Sequence, residues 1–222
     1  MRNFRTLALM GGLLLCFPGL SQEPVRHGGI PDDVFYLMPS FSEGVIYFRG
    51  QNPAQGKLNI CAVDNTLRFI DKSGSELEAT GADNIIRVRI DTVTFLRDQG
   101  IFYRMYPLSP EMGVALRREV KVRTDVKEGA YGTTSQTTAV RSYSSVYSDG
   151  AIYNLENGKT YPYEVEEEPF LYKGDSVFAL SKKNLKKLFP AKKDIIESYF
   201  KAGNPVPETV EDTLNLLKQW AD

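Results

Sequence analysis

Between residues 34 and 123 apolar side chains recur at every second position, and near the C-terminus at the spacing of a helix. In IIRVRI, residues 85–90, Ile86, Val88 and Ile90 share one face while Arg87 and Arg89 share the other. That period of two is the mark of a half-buried antiparallel strand. VFYLM, VIYFRG, KLNICAV, LRFI, ELEA, VTFLR, IFYRMY and VALRREVKV read as further short strands. DKSGS, Asp91-Thr92 and DQG supply turns between them. The expectation for residues 34–127 is an antiparallel meander or small barrel.

The last third changes period. Asn157-Gly158 in IYNLENGKTYPYEV is a strong hairpin signal, because both central residues accept positive φ. Lys173-Gly174-Asp175 then separates PFLY from SVFAL, giving a predicted three-stranded meander. Helices follow: Ser181 caps KKNLKKLF, Ile195, Ile196, Tyr199 and Phe200 form a stripe ending near Gly203, and Val210, Leu214 and Leu217 form another opened by Pro207 or Thr209. The predicted class is α+β, mainly β, with residues 151–222 as a meander covered by helices. Residues 128–150, rich in Ser, Thr, Gly and Tyr, read as a polar connector between the two parts.

The first residues change the picture of where the chain works. Arg2 and Arg5 precede an apolar run from Leu7 to Leu20 that Pro18 breaks, and small residues lie ahead of Gln22. This predicts a secretory signal peptide over residues 1–21, followed by a flexible segment over 22–33. Leu15 before Cys16 argues against lipidation. No later run is long and apolar enough for a transmembrane helix. The expected location is therefore the periplasm, the cell surface or the medium. With Arg2 and Arg5 removed, the mature chain has three more acids than Lys and Arg together, and no general affinity for nucleic acid. Cys61 is then the only cysteine, and its strand-like setting reads as a buried apolar site rather than a reactive thiol.

Candidate chemistry is sparse. The one histidine, His27, sits near the expected cleavage site, where a rigid catalytic arrangement is hard to build. With one imidazole and one thiol, no metal site of the zinc type is expected. DKSGSELE does not complete a calcium loop, because Glu76 replaces the required glycine. Phosphate-loop motifs are lacking, and no cofactor is expected. Ser198 and Lys201 have the S-x-x-K spacing of a Ser/Lys hydrolase, although the echoing triplets at 148–150 and 159–161 precede it instead of following.

Arginines are the richer set. Arg87, Arg89, Arg97, Arg104, Arg117, Arg118 and Arg123 fall on adjacent predicted strands. Strands pairing in chain order would bring several onto one face, and Arg87, Arg89, Arg104 and Arg117 are the candidate binding residues for a carboxylate, phosphate or sulfate. The competing reading is a set of cross-strand ion pairs with Asp83, Asp91, Glu76, Glu78 and Glu119. Arg118 shares the phase of Leu116 and Val120, so it calls for a buried partner or a bulge. EVEEEP, residues 164–169, reads as an acidic edge that discourages pairing. Lys182, Lys183, Lys186 and Lys187 read as the wet face of a helix, with peripheral membrane contact as the alternative.

YLMPSFSEG, YFRGQNPAQGKLNI, GAYGTTSQT and LYKGDSVFALSKKNLKKLFPAKKDIIESYF together resemble exported proteins of Bacteroidota for which no activity is known. The resemblance spans most of the mature chain and implies an envelope location, but carries over no functional residues. The resulting expectation is a non-catalytic envelope protein that binds an anionic group or a partner protein through an arginine-bearing sheet face. A Ser198/Lys201 hydrolase and a purely structural envelope component are the alternatives.

Overall fold

The computed structural model describes residues 27–123 and 160–221. The signal segment, the polar connector 128–150 and the Asn157-Gly158 turn lie outside the described residues. The described chain is α+β and mainly β. Its strands are β1 (Ser42–Phe48), β2 (Ala54–Ile60), β3 (Leu67–Ile70), β4 (Glu76–Glu78), β5 (Ile85–Ile90), β6 (Val93–Asp98), β7 (Ile101–Pro107), β8 (Met112–Val122), β9 (Tyr163–Lys173) and β10 (Ser176–Ala179). Every pairing is antiparallel, in the order β10-β9-β8-β7-β6-β5-β1-β2-β3-β4. Thus β1 to β4 meander outward one way, and the chain returns to the other edge of β1 to meander the opposite way. Of the two predicted arrangements, the meander is the one formed; the ends β4 and β10 leave the sheet open.

An open sheet of this length is stable only if it coils, because its central strands are apolar on both faces. Phe95 and Phe102 are buried with Leu58, Leu67 and Val88, whereas their neighbours Leu96 and Tyr103 are buried with Ala115 and Tyr172. Alternation sends those two sets to opposite faces. Leu67 on β3 and Phe102 on β7 are five strand spacings apart along the sheet, roughly 24 Å if it were flat. Their common cluster requires β1–β7 to wrap around it. The second curl runs the other way, and side chains from β5 and β6 reach the β9–β10 hairpin. The turn Gln99-Gly100, at φ 49° and 85°, reverses the chain between β6 and β7 in the way the DQG signal predicts.

Helices cover part of the first face. α2 (Lys182–Leu188), α3 (Lys193–Lys201) and α4 (Val210–Ala221) pack Leu185, Leu188, Ile196 and Leu217 against Val114 of β8 and Leu171 of β9. The Ser181 side chain accepts from the Asn184 amide at 3.3 Å, as its capping position predicts. Thr209, not Pro207, opens α4, accepting from the Asp212 amide at 3.1 Å. The predicted boundary between a β-rich part and a C-terminal part does not interrupt the sheet, since β9 pairs with β8 over eleven residues.

Two local expectations are corrected. VFYLM forms no strand: Asp32–Phe35 make the single-turn helix α1, and Tyr36 makes an isolated bridge to Cys61. Pro31 opens that turn, and Asp32 and Asp33 complement the positive end of its dipole. Residues 27–33 of the expected flexible segment are tied down, with Ile30 buried and the His27 ring stacked on Phe35 at 3.9 Å. EV and PFLY form one strand that runs through Pro169. That proline is tolerated because β10 pairs only with Phe170 to Lys173, so among the described residues the outer side of β9 has no partner there.

Buried Asn59 anchors the N-terminal segment to β2. Its amide accepts from the Met38 N–H at 3.1 Å and donates to the Met38 carbonyl at 3.0 Å. Replacing Asn59 with Ala removes both of these bonds, and a third that its amide oxygen accepts from the Ile60 N–H at 2.8 Å, and leaves the two Met38 backbone groups without this partner. Chemical denaturation of Asn59→Ala is expected to show a loss of about 2–4 kcal/mol, at one to two per orphaned group; an unchanged midpoint would mean that this anchor is dispensable.

Candidate functional site: the arginine-bearing face

Strand register sorts the four candidate arginines. Arg87 lies opposite Leu96, Leu96 opposite Tyr103, and Arg117 follows Ala115 by two positions on β8. Arg87, Arg89 and Arg117 therefore share the face that buries Leu96, Tyr103 and Tyr172. Arg104 pairs with Phe95 and Leu116 and belongs to the opposite face. Its guanidinium lies over the Tyr106 ring at 5.4 Å, exposed. Sequence alternation gathers three of the proposed set; Arg104 does not join them.

Two of the three are committed to carboxylates. Arg87 donates through Nε and Nη2 to the Asp175 carboxylate at 3.1 and 2.8 Å and through Nη2 to the Gly174 carbonyl at 3.1 Å. Asp98 accepts from the Val177 amide at 2.9 Å, so β5 and β6 together hold the β9–β10 hairpin over this face. Arg117 pairs with Glu168 at 2.8 Å and lies over the Phe170 ring at 5.5 Å. Arg89 is exposed and has no side-chain partner among the described residues. Burial pushes the phenol of Tyr103 up from its ordinary range, opposed by the positive charge of Arg117. Tyr172 is raised by burial in the same way, opposed by Arg87.

The cross-strand reading of the cations holds, with two of the expected acids, Asp83 at 3.7 Å from Arg97 and Glu119 at 3.9 Å from Arg117, and with a further set that was not expected. Read backwards, EVEEE of β9 is EEEVE, and it lies residue for residue against RREVK of β8. Arg117 meets Glu168, Arg118 meets Glu167 at 3.6 Å, and Lys121 meets Glu166 at 2.5 Å. Arg123 also pairs with Glu164. The hydrogen bond to Glu166 raises the Lys121 ammonium above its ordinary value. EVEEEP is thus paired with β8 on one side, while its outer side remains an exposed acidic edge among the described residues. Its complementarity to β8 was visible in the sequence once the strands are written antiparallel. Arg118 needs no bulge, since the β8–β9 register is unbroken; Nη1 donates to the Asp33 carbonyl at 3.1 Å.

Other candidates fall into place. Cys61 is free and fully buried, and burial pushes its thiol well above the ordinary range. DKSGSELE is a turn in which the Asp71 carboxylate accepts from Ser73 and the Ser75 amide. Ser198 is exposed on α3 and donates to the Asp194 carbonyl at 2.9 Å, so its proton is spent on its own helix. Lys182 and Lys186 both reach Glu197 of α3, the first at 2.6 Å, and Lys187 lies over Phe178 at 5.3 Å. The lysine stripe therefore fastens α2 to α3 in part. Sequence reasoning missed the buried Arg68, held by Asp64 at 2.6 Å and Glu78 at 3.6 Å. Its spacing of four from Asp64 was the available signal.

No family model matches this chain, and no curated protein or solved structure matches it either.

Removing Arg87 should loosen the hairpin, while removing Arg104 should do little. Thermal denaturation is expected to show Arg87→Ala less stable by about 1 kcal/mol and Arg104→Ala within about 0.5 kcal/mol of the parent. The α2–α3 junction should be sensitive to acid. Hydrogen bonds from Lys182 and Lys186 hold the Glu197 carboxyl down at about 2, against an ordinary 4.5. A depressed folded value means that the contribution is complete above 4.5 and is lost as pH falls toward 2. A titration of helical signal should show a transition in that window that Glu197→Gln removes.

Proposed function

We propose that the chain is an exported cell-envelope protein that works by binding or assembly, presenting the arginine-bearing face to an anionic group or a partner protein. One observation supports this reading above the others. Arg89 stands exposed two positions along β5 from Arg87, whose guanidinium is already fixed in place, with Arg117 three strands away on the same face, so a carboxylate, phosphate or sulfate would meet a free guanidinium on an ordered sheet face. Arg87 is a positioning group in this reading: Asp175 occupies it, and it orders the sheet face beside Arg89, while Arg117 is occupied by Glu168 further along the same face. The face is narrower than the four-arginine site expected from sequence, and it is not poor in carboxylates. An anion arriving there competes with Asp175 and Glu168, which favours an extended partner over a small ion.

The Ser198/Lys201 hydrolase lacks comparable support. Its serine is committed to a backbone carbonyl on an exposed helix face. A structural role is favoured by a different observation: the outer side of β9 from Tyr163 to Pro169 is an unpaired edge among the described residues, with Tyr163 and Val165 exposed. Both non-catalytic readings predict stable neighbours in the envelope.

Crosslinking in the native host followed by mass spectrometry tests the proposal. Arg89→Glu is expected to reduce capture of a neighbour several-fold without lowering thermal stability. Capture that survives this change removes the arginine face from consideration, and labelling of Ser198 by an activated acyl probe would replace binding with turnover.

A further inference from the structure

A cleft of about 710 Å³ opens where the β7–β8 turn meets the helical layer, at a distance in the fold from the arginine-bearing face. Leu108 and Met112 at the β7–β8 turn line it together with Leu188, Phe189 and Trp220 from the helical layer. The volume is in the range of small-molecule sites, roughly 300–1,000 Å³. Leu188, Phe189 and Trp220 are buried residues of the helical core, so the wall is built from well-packed side chains. The cleft is therefore part of the fold's apolar seam left open at one end.

Two cations stand at this opening, Lys192 from the turn before α3 and Lys218 from α4. Neither has a carboxylate partner among the described residues. Elsewhere in the layer Lys182 and Lys186 are neutralised by Glu197 and Lys187 lies over Phe178. Lys183, Lys193 and Lys201 likewise have no carboxylate partner among the described residues, but Lys192 and Lys218 are the two ammonium groups that line the apolar cleft. An acyl chain would bury its methylenes against Leu108, Met112 and Phe189, and a terminal anion would reach the lysines.

We propose that this cleft binds a single-chain amphiphile with an anionic head, a long-chain carboxylate being the simplest. The site is independent of the arginine face, and the two readings can fail separately. An apolar ligand without charge would leave the lysines unused, and a small anion would leave the apolar walls unused. Only a ligand with both parts uses the arrangement in full.

Trp220 is the chain's single tryptophan, so it reports on this cleft alone. The test is quenching of its emission by dibromostearate, titrated below the micelle concentration, with stearate and stearyl alcohol as competitors. Saturable quenching is expected, with stearate displacing the probe about tenfold better than the alcohol. The Lys192→Glu/Lys218→Glu variant should bind about tenfold more weakly or worse while melting as the parent does. Ala191→Phe, which fills the cleft from its exposed rim and keeps both lysines, should also weaken binding. No quenching, quenching unaffected by the lysine reversal, or equal competition by the alcohol would overturn the proposal. Stronger competition by an acidic peptide with an apolar end would overturn it too, in favour of a protein partner. The lysine variants leave Arg89 untouched, so crosslinking through that residue reports on the envelope-partner reading whichever way quenching turns out.

Discussion

Burial on both faces of β5–β8 is the constraint from which the rest of the architecture follows. Val88, Phe95 and Phe102 demand cover on one side, and Leu96, Tyr103 and Ala115 demand it on the other. A flat antiparallel sheet with solvent on one face would leave one of these sets wet. The chain answers by coiling at both ends, β1–β3 wrapping one set and the β9–β10 hairpin covering the other, while helices α2–α4 take the apolar surface left over Val114 and Leu171. Burying a side chain the size of Val, Leu or Phe is worth about 1.5–3 kcal/mol, and Val88, Phe95, Leu96 and Phe102 together outweigh any single ion pair described above. With Cys61 unpaired, no described disulfide shares that task.

Charge then refines what apolar burial sets up. The β8–β9 ladder puts Glu119 directly opposite Glu166, a repulsive pairing taken alone. Lys121 relieves it by reaching Glu166, and Arg117 lies 3.9 Å from Glu119 on the same strand. A slip of one residue would flip Val114 and Val120 out of their clusters and set Arg117 against Glu167 on the wrong face. Apolar phase and charge order thus specify the same register. Their agreement explains how an eleven-residue pairing forms between strands separated by a long stretch of sequence.

The strands were legible because their periodicity is local. Each of β1–β8 lies within or close to a run recognised by alternation, and the DQG and Ser181 signals mark real turns and caps. Their order in the sheet was not legible, since the insertion of β1 between β2 and β5 depends on contacts far apart in sequence. VFYLM was misread because a five-residue apolar run has no period that separates a strand from a helical turn. At the candidate face, alternation placed Arg87, Arg89 and Arg117 together, but assigning Arg104 required the β6–β7 register. The acids were missed because residues 164–168 were judged singly, when their meaning lies in the strand opposite.

Arginine and lysine divide this protein by layer. All the arginines lie at or before Arg141, and ten of fourteen lysines follow it. In the structure the guanidiniums bridge strands: Arg68 between Asp64 and Glu78, Arg87 to Asp175, Arg117 to Glu168. Each uses a planar fork to span two elements while partly withdrawn from water, which an ammonium does less well. Lysines instead dress the helices, where a flexible stem can find Glu197 or stay solvated. The asymmetry first reads as a division between domains, yet Arg123 and Glu164 pair across that supposed boundary. It is better understood as the difference between stitching a coiled sheet and coating the layer packed on it. On that view the cations of interest are those placed at a feature the fold leaves open: Arg89 on the exposed sheet face, and Lys192 and Lys218 at the mouth of the helical seam.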